Sequence, residues 1–102
     1  MNRGEVWWTE FPEGRRPSLV LTRQPAIALL NRIVVVPATR TIRGIPTEVK
    51  VGPDDGLPQE CVLSLDNVAS VPKVFLRERI CRLAAERMHQ VCAALAIATG
   101  CG

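Results

Sequence analysis

The chain of 102 residues has one histidine, His89, and no tyrosine. Mechanisms that need two imidazoles or a phenol are therefore closed to it. The longest apolar runs reach only about half the length of a bilayer span, which excludes a transmembrane helix. The opening Met1-Asn2-Arg3-Gly4-Glu5 does not lead into an apolar signal-peptide region, so no secretion signal is expected. Gly4, Gly14, Gly44, Gly52 and Gly56 never cluster, so there is no glycine-rich phosphate loop. The four cysteines (Cys61, Cys81, Cys92, Cys101) contain no C-x-x-C pair, and no second histidine exists to complete a mixed zinc site. On a shared helix, Cys81 and Cys92 would lie roughly 16 Å apart, too far to bridge. Free thiols packed as small hydrophobes are expected, together with a reducing cytoplasm and no metal or other cofactor.

What is present describes one globular domain spanning 1–102. Apolar residues make up 47% and charged residues 23%, ordinary usage for a folded chain that can build one core. The net charge of +3 is uneven. Residues 1–50 carry eight basic and four acidic groups (+4), whereas residues 51–102 carry five basic and six acidic groups (−1). Seven of the first eight cations are arginine, whose planar fork matches phosphate oxygens.

The first two thirds punctuate as short strands. Glu5–Glu10 reads as a strand, with Trp7 and Trp8 on opposite faces, one in the core and the other towards solvent or a partner. Glu13–Pro17 reads as a turn, Ser18–Thr22 as a second strand, and Pro25–Asn31 as one or two helical turns. Ile33-Val34-Val35-Val36 is an unbroken β-branched run, the pattern of a strand buried on both faces. Thr47–Val51, Cys61–Leu65 and Val68–Val71 read as further strands, and Pro53–Gly56 as a turn. In the tail, Ala84, Met88, Val91, Cys92, Leu95 and Ala98 recur at helical spacing, with Gly100 and Gly102 closing the helix. The expected fold is α+β, mainly β: a small twisted or barrel-like sheet with a C-terminal helix.

Few residues offer chemistry. His89 falls beside the apolar stripe, on the helix surface, and Asp54-Asp55 sits in a turn where carboxylates are ordinarily solvated. Two segments remain, Gly14-Arg15-Arg16-Pro17 and Pro37-Ala38-Thr39-Arg40-Thr41. Each adjoins a strand, where side chains are held firmly yet reach solvent. A guanidinium and a threonine hydroxyl there can clamp a phosphate, the arginine offsetting growing negative charge and the threonine donating a hydrogen bond.

These segments carry a resemblance. Arg3-Gly4-Glu5-Val6-Trp7, Gly14-Arg15-Arg16-Pro17-Ser18-Leu19-Val20-Leu21-Thr22 and Val35-Val36-Pro37-Ala38-Thr39 resemble the MazF/PemK family of toxin endoribonucleases. The likeness continues through Ile45-Pro46-Thr47-Glu48-Val49, Asp55-Gly56-Leu57, Leu65-Asp66-Asn67-Val68 and the closing helix. It implies an SH3-like barrel of the MazF/Kid/CcdB type, assembled as a homodimer. It also implies sequence-specific, metal-independent cleavage of single-stranded RNA, and a MazE-like antitoxin whose C-terminal tail lies over the RNA groove. By the same resemblance the catalytic arginine falls on Arg16 and the catalytic threonine on Thr39. Substrate contacts fall on Ile45, Pro46 and Thr47, and on the acidic-amide pair Asp66 and Asn67. Many family members carry a longer loop with a Ser-Glu-Gln segment before the Arg-Pro motif. Here only Phe11-Pro12-Glu13-Gly14 stands in its place, which makes Glu13 the candidate for that glutamate.

RNA supplies its own nucleophile, the 2′-hydroxyl. The resemblance implies a 2′,3′-cyclic phosphate and a free 5′-hydroxyl as products. Arginine stays protonated at neutral pH, so Arg16 is assigned to charge stabilisation, with protonation of the leaving group as a second role, and Thr39 to hydrogen-bond donation. Glu13 and solvent are the candidate bases. Arg15, Arg40, Thr41 and Arg43 are read as RNA binders, and Trp8 as a base-stacking candidate. Two other readings stand beside this one: a CcdB-like gyrase-binding toxin on the same barrel, and a non-catalytic SH3-like RNA-binding module.

Overall fold

Adjacent residues of a strand point to opposite faces, and this chain fills both faces. In the computed structural model, which describes residues 1–101, Leu19 and Val36 enter one buried cluster while their neighbours Val20 and Val35 enter another. Gly102 lies outside the described residues. The strands are β1 (Glu5–Phe11), β2 (Gly14–Val20), β3 (Arg32–Thr39), β4 (Glu48–Val51), β5 (Cys61–Ser64), β6 (Ala69–Pro72) and β7 (Leu76–Arg82). A short helix α1 (Gln24–Ile27) precedes β3, and α2 (Ala85–Thr99) closes the chain. All pairings are antiparallel, in the order β4-β5-β3-β2-β1-β7, with β6 also on β3. The mainly β class and the small barrel with a C-terminal helix are what the chain adopts.

The first cluster lies beneath α2. Val91 and Ala94 of the helix are buried with Val36, Val49, Leu63 and Leu65, and Met88, Leu95 and Ala98 pack at its border. Ala84 and Cys92 of the expected stripe are exposed instead. The second cluster gathers Val20, Ile33, Val35, Val71 and Leu76, with Trp7 and Phe11 against it. The run at Ile33–Val36 is thus buried on both faces only at Val35 and Val36. Val34, paired across the strand with Ser70, is exposed.

Several boundaries differ from the sequence reading. The turn expected over Glu13–Pro17 shrinks to Pro12-Glu13, because Phe11↔Gly14, Glu10↔Arg15 and Thr9↔Arg16 pair and draw both arginines into β2. The helix expected over Pro25–Asn31 is the four-residue α1. Strand β7 has no counterpart in the reading. Its four charges, Arg77, Glu78, Arg79 and Arg82, hide the alternation, as is common on edge strands. Cys81 therefore sits on β7, apart from Cys92 on α2, and all four thiols are free. Cys61 is buried and Cys81 half-buried, but Cys92 and Cys101 are exposed.

The ladder between β2 and β3 governs the rest. It runs Val20↔Val35, Leu19↔Val36, Ser18↔Pro37 and then stops. Pro17 and Pro37, which lack an N–H, stand at that end. Beyond it β3 changes partner, and Ala38 and Thr39 pair with Leu63 and Val62 of β5.

The loop before β5 is pinned from below. Arg87 of α2 donates from Nε to Asp55 Oδ1 (3.0 Å) and from Nη2 to Oδ2 (3.4 Å), and the Gly52 N–H also donates to Asp55 Oδ2 (3.0 Å). Gly56 follows with φ +98°, and a Cβ there would lie 2.7 Å from Cys81 Cβ. Gly56→Ala should therefore cost roughly 2 kcal/mol or more in urea unfolding, combining left-handed strain with a clash. Gly100→Ala, with φ +70° and open space around it, should cost only about 1 kcal/mol. Equal costs would refute the close approach to Cys81.

Glu5 ties the N-terminus to β7. Its carboxylate accepts from the Asn2 N–H (2.8 Å), Trp7 Nε1 (3.1 Å) and Arg79 Nε (3.0 Å). Burial alone would raise its pKa, but the bonds from Asn2, Trp7 and Arg79 outweigh burial and hold it below its ordinary value. The cluster thus stabilises the fold while Glu5 is ionised, and that stability is lost as pH falls through the lowered value. Glu5→Gln should unfold more easily near neutral pH and show a flatter loss of stability on acidification. Parallel pH profiles would exclude this role.

Candidate active site

A cleft of about 360 Å³ opens where β2 and β3 part. One wall is β2, with Arg15, Arg16 and Pro17, and Trp8 of β1 beside it. The second is the end of β3 and the residues after it, Ala38, Thr39, Arg40 and Thr41. The third is the loop into β5, with Leu57, Pro58, Gln59 and Cys61. Carrying the β2–β3 register two residues past its last pair would set Arg16 opposite Thr39. The strands have separated by then, so both side chains border open space.

Among the described residues three guanidiniums and no carboxylate line this cleft. Arg15 Cζ lies 5.2 Å from the centroid of the Trp8 ring, and its Nη2 lies 3.6 Å from Glu78 Oε2 in a largely exposed pair of little energetic worth. Arg16 Cζ lies 5.9 Å from the Phe11 ring centroid. Among the described residues neither Arg16 nor Arg40 has an ion-pair partner, so both forks are free for an anion. Thr39 Oγ1 accepts a hydrogen bond from the Thr41 N–H (3.2 Å), which orients the oxygen and leaves its proton to donate. Burial, and then the charge of Asp55, push the Cys61 thiol up, so the sulfur stays neutral and is no base.

The cleft thus unites Trp8, Arg15, Arg16, Thr39, Arg40 and Thr41. Glu13 stands exposed at the tip of the β1–β2 hairpin, outside the cleft lining. Arg43, Ile45, Pro46 and Thr47 lie in the β3–β4 loop, and Asp66 and Asn67 in the 3-10 turn after β5. This second group is braced internally. Thr47 Oγ1 donates to Asp66 Oδ2 (2.6 Å), and the Arg43 and Gly44 N–H groups donate to Glu48 Oε1 (3.0 Å each). The sequence reading missed Gln59, Pro58 and Glu48. Only the Pro53–Gly56 turn just upstream hinted that the backbone there is held.

The model of a family described as "PemK-like, MazF-like toxin of type II toxin-antitoxin system" matches residues 2–99. The chain belongs to this toxin family. It is 48% identical over 101 residues to "Probable endoribonuclease MazF5" of Mycobacterium tuberculosis, covering 97% of this chain and 93% of that one. Among solved structures, "Mycobacterium tuberculosis toxin MazF-mt6" superposes with a TM-score of 0.90 at 32% identity, covering 96% of this chain and 98% of the other. "Endoribonuclease in complex with its cognate antitoxin from Mycobacterial species" also gives 0.90, at 28% identity over 100% of this chain and 97% of that one.

The arginine-lined cleft of this toxin should attract small anions to Trp8. In a Trp7→Phe background, iodide should quench Trp8 fluorescence more strongly than neutral acrylamide does, relative to a free tryptophan standard. Added salt, or Arg16→Ala with Arg40→Ala, should remove the excess. Equal quenching by both agents would show that the cleft has no net attraction for anions.

Proposed function

We propose that this MazF-family toxin cleaves single-stranded RNA without a metal ion, at the phosphate held between Arg16 and Thr39. The chain is an endoribonuclease by family, and the proposal concerns how it cuts. The single observation carrying it is the cleft itself, where free guanidiniums and an oriented hydroxyl converge. A phosphodiester fits such a lining better than a divalent cation does.

In the reaction the 2′-oxygen attacks phosphorus, the O2′–P bond forms and the P–O5′ bond breaks. The products are a 2′,3′-cyclic phosphate and a 5′-hydroxyl. Arg16 offsets the charge that grows on the non-bridging oxygens, and Thr39 donates a hydrogen bond to one of them. Water takes the 2′-proton, since Glu13 stands outside the cleft and Cys61 stays neutral. Water likewise protonates the departing 5′-oxygen. Arg15 and Arg40 hold flanking phosphates, and Trp8 stacks a base. Thr41 keeps the Thr39 hydroxyl oriented. Arg43, Ile45, Pro46 and Thr47 extend the RNA path along the braced β3–β4 loop, and Asp66 and Asn67 continue it on the 3-10 turn after β5.

The same reading gives the chain a homodimeric state and an antitoxin partner of the kind seen with its structural relative. Leu29 and Val74, 83% and 70% exposed, flank segments joined where the Lys73 N–H donates to Asn31 O, an apolar surface suited to a partner. No helix among the described residues is long and apolar enough to cross a membrane. The reading places the toxin in the cytoplasm, with its RNA.

Long mixed-sequence RNA incubated in EDTA should be cut by the wild type. Arg16→Ala should slow cutting by roughly 10²–10³-fold, the cost of one transition-state charge donor. Thr39→Val should slow it by about 10- to 100-fold, one hydrogen bond to a charged group. Intact RNA with the wild type, or unimpaired variants, would overturn the assignment, and fragments ending in a 2′,3′-cyclic phosphate would support it.

A further inference from the structure

The cleft lining carries cations for phosphates and hydroxyls for oxygens, but only one side chain with a fixed donor beside a fixed acceptor: Gln59. Its amide offers N–H₂ and C=O in one plane, the pattern that reads a base edge rather than a phosphate. Among the described residues no hydrogen bond engages that amide, and the residue is exposed. It is therefore presented to the cleft uncommitted.

Its backbone, by contrast, is tightly held. Pro58 precedes it and restricts the chain. Leu57, one residue further back, is buried in the main core, and its N–H donates to Gly52 O (3.2 Å). The Asp55–Arg87 ion pair ties the same loop to α2. On the far side, Glu60 packs on Gly52, where a Cβ would come within 3.3 Å of Glu60 Cγ, and Cys61 begins β5 opposite Val51. Because the backbone is already held, binding has only the rotamers of the side chain left to order, and discrimination between bases is not spent on ordering the loop.

From this we infer that Gln59 determines specificity, reading the edge of a base next to the phosphate held by Arg16 and Thr39. The inference rests on the endoribonuclease reading of the cleft. Adenine, with N6–H as donor and N7 as acceptor, is the base a glutamine amide pairs with in bidentate fashion. Base edges are open to such contacts in single-stranded RNA, where bases can be splayed out of the stack. Gln59 takes no part in bond making, so changing it alters which sequences are cut and leaves the cutting step in place.

The test sequences fragment ends from a randomised RNA digested by wild type, Gln59→Ala and Gln59→Glu, beside selection of an uncleavable 2′-O-methyl RNA library by the same proteins. The wild type should prefer adenine at one position adjoining the cut. In Gln59→Ala that preference should fall by roughly 5- to 150-fold at that position alone, the range for one bidentate base contact. Gln59→Glu, an acceptor only, should shift it towards cytosine, whose N4–H₂ donates. Unchanged preferences in both variants, with cutting intact, would overturn the inference and leave the nuclease reading standing. A Gln59-dependent base preference in the library selection, without cutting by the wild type, would support the inference and overturn the nuclease reading. Thermal unfolding of Gln59→Ala should match the wild type; a large loss would assign Gln59 a structural role and overturn the inference.

Discussion

The ladder between β2 and β3 cannot continue past Ser18 and Pro37, and the site depends on that limit. Prolines stand at both sides of its end, and a proline has no N–H to give to a neighbouring strand. β3 satisfies its remaining backbone groups by turning to β5. The ends of β2 and β3 then diverge while each stays paired elsewhere, β2 to β1 and β3 to β5. The cleft is therefore a gap between strands that are otherwise rigid. One polar atom marks the seam: Ser18 Oγ is buried with no hydrogen-bond partner at the last rung.

The arginines divide into two kinds according to what lies beside them. Arg79 and Arg87 meet carboxylates that are themselves almost fully buried, Glu5 and Asp55, at 3.0 Å each. They hold the N-terminus to β7 and the loop before β5 to α2. Arg16 and Arg40 border the cleft with no such neighbour. Concentrated, uncompensated positive charge disfavours the empty cleft and favours an anion in it, which makes the fold's self-repulsion a source of binding free energy. The Asp55–Arg87 pair also holds the loop wall of the cleft in place beside those charges.

Much of the fold was legible because local chemistry and burial agree. Trp7 and Trp8, adjacent in one strand, do divide between a core cluster and the cleft. The helical stripe around Val91 does meet the core. Legibility failed where long-range pairing overrode local signals. Gly14-Arg15-Arg16-Pro17 has turn composition, but pairing with β1 extends it into a strand, and the charges of β7 mask its alternation. At the candidate site, Arg16 and Thr39 were legible as two segments with matching chemistry. Gln59 was not, because a lone glutamine after Pro58 has no local signature, and only the pinned loop brings it to the cleft. Nor does linear order show that Glu13 stays outside the lining, or that Thr47 and Asp66, nineteen positions apart, hydrogen bond directly.

By itself the sequence determined the class of chemistry. With one histidine, no tyrosine and arginines crowded into its first half, the chain could offer charge and hydrogen bonds to a phosphate but no imidazole pair. It also determined that two faces of a sheet would be filled, since period-two alternation is a local property of the strand. Only the tertiary structure decided which arginines are free. Whether a guanidinium is neutralised depends on a carboxylate brought near by folding, and Glu5 lies 74 positions from the Arg79 it binds. It likewise decided where the cleft opens, because that depends on the point at which β3 changes partner.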